Sequence, residues 1–171
     1  MKGAVDAGIT VVCPAGNESG RLAYPGAYPE SLGVAAVTSM GTLADFSGFG
    51  QPVALAAPGV DITVPIGRSA YRNWTGTSFS CAIAAGVVAL MLRAAPTLSP
   101  QRIREILCET ATTLGSTFAP NGGLVNAYLA VQTAAQTLEP KSPSKDRKQT
   151  PKRRGKRDAH RGAPASGGRK R

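Results

Sequence analysis

Hydrophobic residues fall along this chain in short continuous runs first and in longer periodic stretches later, which predicts strands followed by helices. Lys2 to Ala7 reads as the last turns of a helix, closed at Gly8, where a left-handed residue commonly ends one. Ile9 to Cys13 follows as a β-branched apolar run of the kind that forms a buried parallel strand. A helix end feeding a central strand so early implies that earlier elements of the fold lie outside this chain. Leu32 to Val37 and Pro52 to Ala57 are two further strand candidates, each bounded by Gly, Pro or Ser clusters that mark turns.

From Ser78 to Ala95 the residues are almost all Ala, Ile, Val, Leu and Met, which predicts a helix buried on nearly all sides and ending before Pro96. Ser99-Pro100 opens another, with Ser as N-cap and Pro in the first position. Its Ile103, Ile106 and Leu107 fall at helical spacing, leaving Arg102, Arg104 and Glu105 toward water. Leu124 to Leu138 reads as a last helix after Gly122-Gly123. Strands with helices packed on a mostly parallel sheet give an α/β fold.

Charge divides the chain in two. Residues 1–138 hold seven Lys or Arg and seven Asp or Glu, whereas residues 139–171 hold thirteen Lys or Arg against three acids and so carry the whole net charge of +10. The second stretch is Lys, Arg, Pro, Ser and Gly with almost no large apolar residue, so it cannot bury enough surface to offset its chain entropy and is expected to be a disordered basic tail. Cys13, Cys81 and Cys108 are odd in number, widely spaced and set in apolar sequence, which predicts buried free thiols rather than disulfides or metal ligands. No run resembles an export signal or reaches the roughly 18 apolar residues of a membrane span, and a soluble chain is expected.

Gly76-Thr77-Ser78 places a small hydroxyl at the start of the long apolar helix. Free amides and the helix dipole at such a position stabilise negative charge, which suits a nucleophile; a helix-capping serine is the commoner meaning of the tripeptide alone. Other stretches, in order, carry it further. Val11-Val12-Cys13-Pro14-Ala15-Gly16-Asn17-Glu18, Tyr24-Pro25-Gly26-Ala27-Tyr28-Pro29, Ala44-Asp45-Phe46-Ser47-Gly48-Phe49-Gly50, Ala57-Pro58-Gly59-Val60, Gly76-Thr77-Ser78 with Gly86, and Gly122-Gly123-Leu124-Val125-Asn126-Ala127 resemble the successive motifs of the subtilisin-like serine proteases, the subtilases of peptidase family S8. The resemblance covers residues 1–138 and implies the C-terminal half of the catalytic domain, a partial subtilisin-like fold.

In that family a serine hydroxyl attacks a peptide carbonyl, a His takes its proton and an Asp orients the His. By resemblance Ser78 is the nucleophile and Asn17 the side chain that donates to the oxyanion. Cys13, Pro14, Ala15, Gly16 and Gly26 would border the pocket for the residue preceding the scissile bond. Glu18 stands where a carboxylate reaches the mouth of that pocket, or is a solvated surface residue. The Tyr24-Pro25 bond is expected to be cis, as in the family's loop.

Two departures bear on activity. The sole histidine, His160, lies in the basic tail, and none of Asp6, Asp45 and Asp61 has the context of the family's catalytic Asp. The isolated chain is therefore expected to be inactive, with the N-terminal half of the domain as the partner that supplies both groups. Phe79-Ser80 and Ala82-Ile83 replace the Met-Ala and Pro-His usual after the serine. Ala54 stands where many relatives have an Asp at a weak cation site, so no metal or other cofactor is expected. Three functions remain: a piece of an active endopeptidase acting on peptide or protein substrates, a pseudoprotease or one part of a split enzyme, and a polyanion binder acting through the tail. Family members are mostly exported, and nothing in these residues decides the location.

The tail carries a separate expectation. It lacks aromatic residues for base stacking, so any association with DNA, RNA or anionic lipid should be weak, sequence-blind and confined to low salt. Gel-shift titrations at increasing salt, with the chain truncated after Leu138 as control, should show binding lost in both cases; affinity that survives high salt would contradict this.

Overall fold

The structure is a computed structural model, and it describes residues 1–53, 55–114 and 122–138. The tail and Ala54 lie outside the described residues, as does His160. In chain order the elements are α1 (Lys2–Asp6), β1 (Val12–Pro14), β2 (Leu32–Val37), β3 (Leu55–Pro58), β4 (Ile62–Ile66), β5 (Ala70–Trp74), α2 (Thr77–Ala94), α3 (Pro100–Thr110), β6 (Thr112–Thr113), β7 (Gly123–Leu124) and α4 (Ala127–Gln136). A five-stranded sheet runs β1-β2-β3-β7-β6, and β4 and β5 form a separate antiparallel hairpin. Every pairing in the larger sheet is parallel except β6 with β7.

The interior strand β2, between β1 and β3, is buried along its whole length, as its unbroken apolar sequence predicts. Its alternate residues serve two cores. On one face Leu32 and Val34 join Leu55 and Ala57 against Ala84, Val87, Val88 and Met91 of α2, Ile103, Ile106 and Leu107 of α3, and Ala130 and Ala134 of α4. On the other, Ala35 and Val37 pack with Ala15, Val53 and Ala56 beneath Leu22, Leu43, Leu114 and Leu124. Small residues on this second face let loops approach the sheet closely. Ser47 is fully buried there, its hydroxyl accepting from the Ala36 amide at 2.9 Å and donating to the Gly48 carbonyl at 3.0 Å, so the loop is tied to the strand by satisfied polar groups.

Several boundaries differ from the sequence expectations. The first strand forms at Val12–Pro14, later than Ile9–Cys13, because Ile9 is exposed and completes the end of α1 instead: its amide reaches the Ala4 carbonyl, with Gly8 at φ 84°. The third strand is Leu55–Pro58 rather than Pro52–Ala57. Leu124 to Leu138 is not one helix: Gly123–Leu124 pairs with β3 and β6, and α4 starts only at Ala127, capped by the Asn126 side chain, whose Oδ1 accepts from the Leu129 amide at 3.0 Å. Thr112–Thr113 carries no apolar run, and the β4–β5 hairpin is not among the sequence expectations although Ile62, Val64 and Ile66 alternate along β4.

The α2 helix is buried on one side only, which corrects the expectation of burial on nearly all sides. Thr77, Ser80, Ala84, Val87, Val88 and Met91 face the sheet and α4, while Ala82, Ala85, Gly86, Ala89 and Leu90 are exposed. Its 18 residues, with mean hydropathy 1.6, are also long and apolar enough to cross a membrane by length and composition, contrary to the reading of the runs alone. Six of them are buried, and Ala84, Val87, Val88 and Met91 pack into the core of this domain, as the central helix of a layered α/β fold does.

Ser99 caps α3 as expected, accepting from the Arg102 amide at 3.2 Å. Arg104, however, is half-buried rather than turned fully to water. Its guanidinium donates to the carbonyls of Ser31 at 2.7 Å, Pro52 at 2.9 Å and Pro29 at 3.4 Å, joining α3 to two loops. Arg104→Ala should therefore cost about 1–3 kcal/mol, because three carbonyls lose a charged donor. Urea unfolding of the variant beside Arg102→Ala, whose exposed pairs with Glu105 and Glu109 are worth much less, checks this; equal losses would contradict it.

Candidate active site

At the C-terminal end of β1 the chain leaves the sheet through Ala15 and Gly16 and reaches Asn17, which is exposed. The same end of the sheet receives the start of α2. The Gly76 amide donates to the Gly59 carbonyl at 2.8 Å, and the Ser80 hydroxyl reaches the Pro58 carbonyl at 3.2 Å, so the helix N-terminus is fastened over the end of β3. Gly76 is the N-cap, with φ 155° and ψ 155°, a backbone shape that essentially only glycine adopts. Ser78 is the second residue of α2 and is exposed. At that position its N–H has no partner within the helix.

The link between the two segments is Thr77. Its amide and its hydroxyl both donate to Asn17 Oδ1, at 2.9 and 2.8 Å, and its Oγ1 accepts from the Gly16 amide at 3.3 Å. An amide N–H can only donate, so the Asn17 atom facing it must be the carbonyl oxygen. Both acceptor sites of Oδ1 are thereby used and the orientation of the amide is fixed. The Nδ2 group has no acceptor among the described residues and is left to point away from Thr77. Thr77 was missed as a site residue by sequence reasoning; the signal was present, since it lies between Gly76 and Ser78, but a Thr there reads as a helix start.

The other sequence-predicted residues gather beside this link. Cys13 and Ala15 are buried, Pro14 and Gly16 are half-buried. Gly26 lies against them so closely that a Cβ would fall 2.1 Å from the Pro14 carbonyl oxygen, which only glycine avoids. The loop that carries it is braced by the Ser31 hydroxyl, within reach of the Pro25, Gly26 and Tyr28 carbonyls. The Tyr24-Pro25 bond is cis. Glu18 is exposed and lies 3.7 Å from Arg21, both of them largely in water, and it does not enter the buried part of the site. All three cysteines are free: Cys13 is buried, Cys81 and Cys108 are half-buried, and burial pushes each thiol up from its ordinary value, a hydrogen bond with Ser31 acting the other way at Cys13.

The chain that carries this exposed serine and oriented carboxamide is similar to known proteins. The Peptidase_S8 model, which describes the subtilase family, matches residues 1–142. The chain belongs to the subtilase family. Over 134 residues it is 39% identical to the subtilisin of Bacillus pumilus, covering 75% of this chain and 49% of the relative, and 38% identical to subtilisin E of Bacillus subtilis (strain 168), covering 75% and 35%. Among solved structures it resembles a protease of Pseudoalteromonas arctica PAMC 21717 with a TM-score of 0.69 and 31% identity, covering 78% of this chain and 45% of that one. The prenylagaramide maturation protease PagA is similar with a TM-score of 0.66 and 25% identity, covering 75% and 52%. This subtilase chain thus spans between about a third and about half of the relatives it matches.

Proposed function

We propose that this chain supplies the nucleophile and the oxyanion-binding half of a serine endopeptidase, and that it hydrolyses peptide bonds once a segment bearing the Asp and His completes the site. The observation that carries this reading is the Asn17–Thr77 link. It sets a carboxamide with a free Nδ2 beside the turn that presents Ser78.

In the completed site the His takes the Ser78 hydroxyl proton as Oγ bonds to the carbonyl carbon. The carbonyl oxygen, now negative, is held by Asn17 Nδ2 and the free Ser78 amide. The tetrahedral intermediate collapses, the protonated His gives its proton to the departing amine, and water repeats the sequence on the acyl-enzyme. Because Oδ1 is already engaged by Thr77, Nδ2 is oriented before substrate arrives and little reorganisation is needed as charge develops. Cys13, Pro14, Ala15, Gly16 and Gly26 would line the pocket for the residue before the scissile bond, with Glu18 at its rim.

Two features support completion by a further segment. Among the described residues β1 pairs only with β2, so its other edge offers unpaired backbone groups for another strand. The exposed side of α2, formed by Ala82, Ala85, Gly86, Ala89 and Leu90, is apolar and offers a surface over which a second layer could pack. Co-expression with the Asp- and His-bearing half of a close relative should yield casein hydrolysis that neither part shows alone. Failure of the two parts to associate, or hydrolysis by this chain alone, would overturn the proposal.

A further inference from the structure

A groove of about 440 Å³ opens at the same end of the sheet as Ser78, between the turn that follows β2 and the foot of the β4–β5 hairpin. It is lined by Thr38, Thr42, Leu43, Ala44, Asp45, Phe46, Val60 and Thr75. Both of its walls are joined to the site. The Phe46 carbonyl accepts from the Ser19 amide at 2.9 Å, two residues beyond Asn17, and Thr75, whose hydroxyl accepts from the Asp61 amide at 3.0 Å, lies three residues before Ser78. Three residues of extended chain span about 10 Å, so the groove lies within reach of the first few residues of a peptide bound at Ser78.

Its position fixes which part of the peptide that is. The pocket proposed for the residue before the scissile bond is built at the end of β1, from Cys13 to Gly16 with Gly26, whereas this groove is built at the ends of β2 and β3, from Thr38 and Val60. A peptide that places its acyl side on the β1 flank carries its leaving-group side toward the groove. The lining is apolar with threonine hydroxyls and a single ionisable group, the exposed carboxylate of Asp45, which has no ion-pair partner among the described residues. Phe46 offers a half-buried ring beside it, against which the methylene stem of a long cationic side chain could lie.

We infer that Asp45 makes this groove select a lysine or arginine within the first three residues after the scissile bond. This rests on the endopeptidase reading above. A partly exposed pair of this kind changes affinity by about fivefold, and less in high salt.

Two measurements separate this inference from the reading it rests on. In the completed enzyme, kcat/KM should be about fivefold higher for peptides with Arg at one of those three positions than for Ala, and Asp45→Asn should bring the ratio of the two close to one. Equal rates for both peptides, or a preference unchanged in the variant, would overturn it while leaving the endopeptidase reading intact. If no hydrolysis is obtained, the 171-residue chain itself answers, because Trp74, its sole tryptophan, adjoins Thr75 and reports on the groove by fluorescence. The amidated tripeptide Ala-Arg-Ala should then bind about fivefold tighter than Ala-Ala-Ala, the difference vanishing in Asp45→Asn; indifference of the wild-type chain to the arginine would sink the inference.

Discussion

Ser78→Ala in the completed enzyme should lower peptide hydrolysis about 10⁶-fold, which is the size of the effect known for subtilisin itself rather than a figure obtained from this structure. The fold should be unaffected. Ser78 is exposed and takes part in no side-chain hydrogen bond among the described residues, so removing its hydroxyl opens no cavity and strands no buried group. Measuring kcat on a chromogenic peptide, with thermal unfolding of the same preparation, distinguishes the two. A variant that keeps more than about a thousandth of the activity would show that another group attacks the carbonyl.

Asn17→Ala should reduce kcat by about 10²- to 10³-fold with KM nearly unchanged, again the magnitude known for subtilisin. The oxyanion exists only along the reaction path, so the lost hydrogen bond is one that the bound substrate does not make. Asn17 also accepts two hydrogen bonds from Thr77, and an effect on the loop alone could imitate part of this loss. Asn17→Asp separates the roles: it keeps acceptors for Thr77 but presents an oxygen in place of Nδ2. It should hold the loop and still lose the rate. Thr77→Val, which retains the backbone donor but not the hydroxyl, should have a smaller effect than either. Recovery of most of the rate in Asn17→Asp would mean that Asn17 acts only by positioning.

What the sequence discloses depends on how local each signal is. The buried strand Leu32–Val37 is legible because both of its faces are covered, which makes every residue apolar. The α3 start is legible because Ser99-Pro100 encodes cap and first turn in adjacent residues. The Gly26 approach to Pro14 was visible only through resemblance, since the reason for the glycine is a backbone twelve residues away in sequence. Arg104 was misread for a related reason: helical spacing places it beside exposed charges, but its partners are carbonyls in two remote loops. The extent of α2 burial misled in the opposite sense. Apolarity on all sides states what a helix can pack against, not what packs there within these residues, and Ala82, Ala85, Gly86, Ala89 and Leu90 remain uncovered. Asn17 and Ser78 were picked out by motif, and the bond that joins their two turns through Thr77 could not be read from either segment alone.

The most direct test of the proposed half-site is covalent labelling of Ser78. The 171-residue chain, alone and together with an Asp- and His-bearing half, is treated with a fluorophosphonate probe, and the adduct is located by mass spectrometry after digestion. No adduct at Ser78 in the chain alone and stoichiometric adduct in the assembled pair is the result expected, since only a serine deprotonated by a neighbouring base reacts readily. Full labelling of Ser78 in the chain alone, or none in a pair shown to have associated, would contradict it.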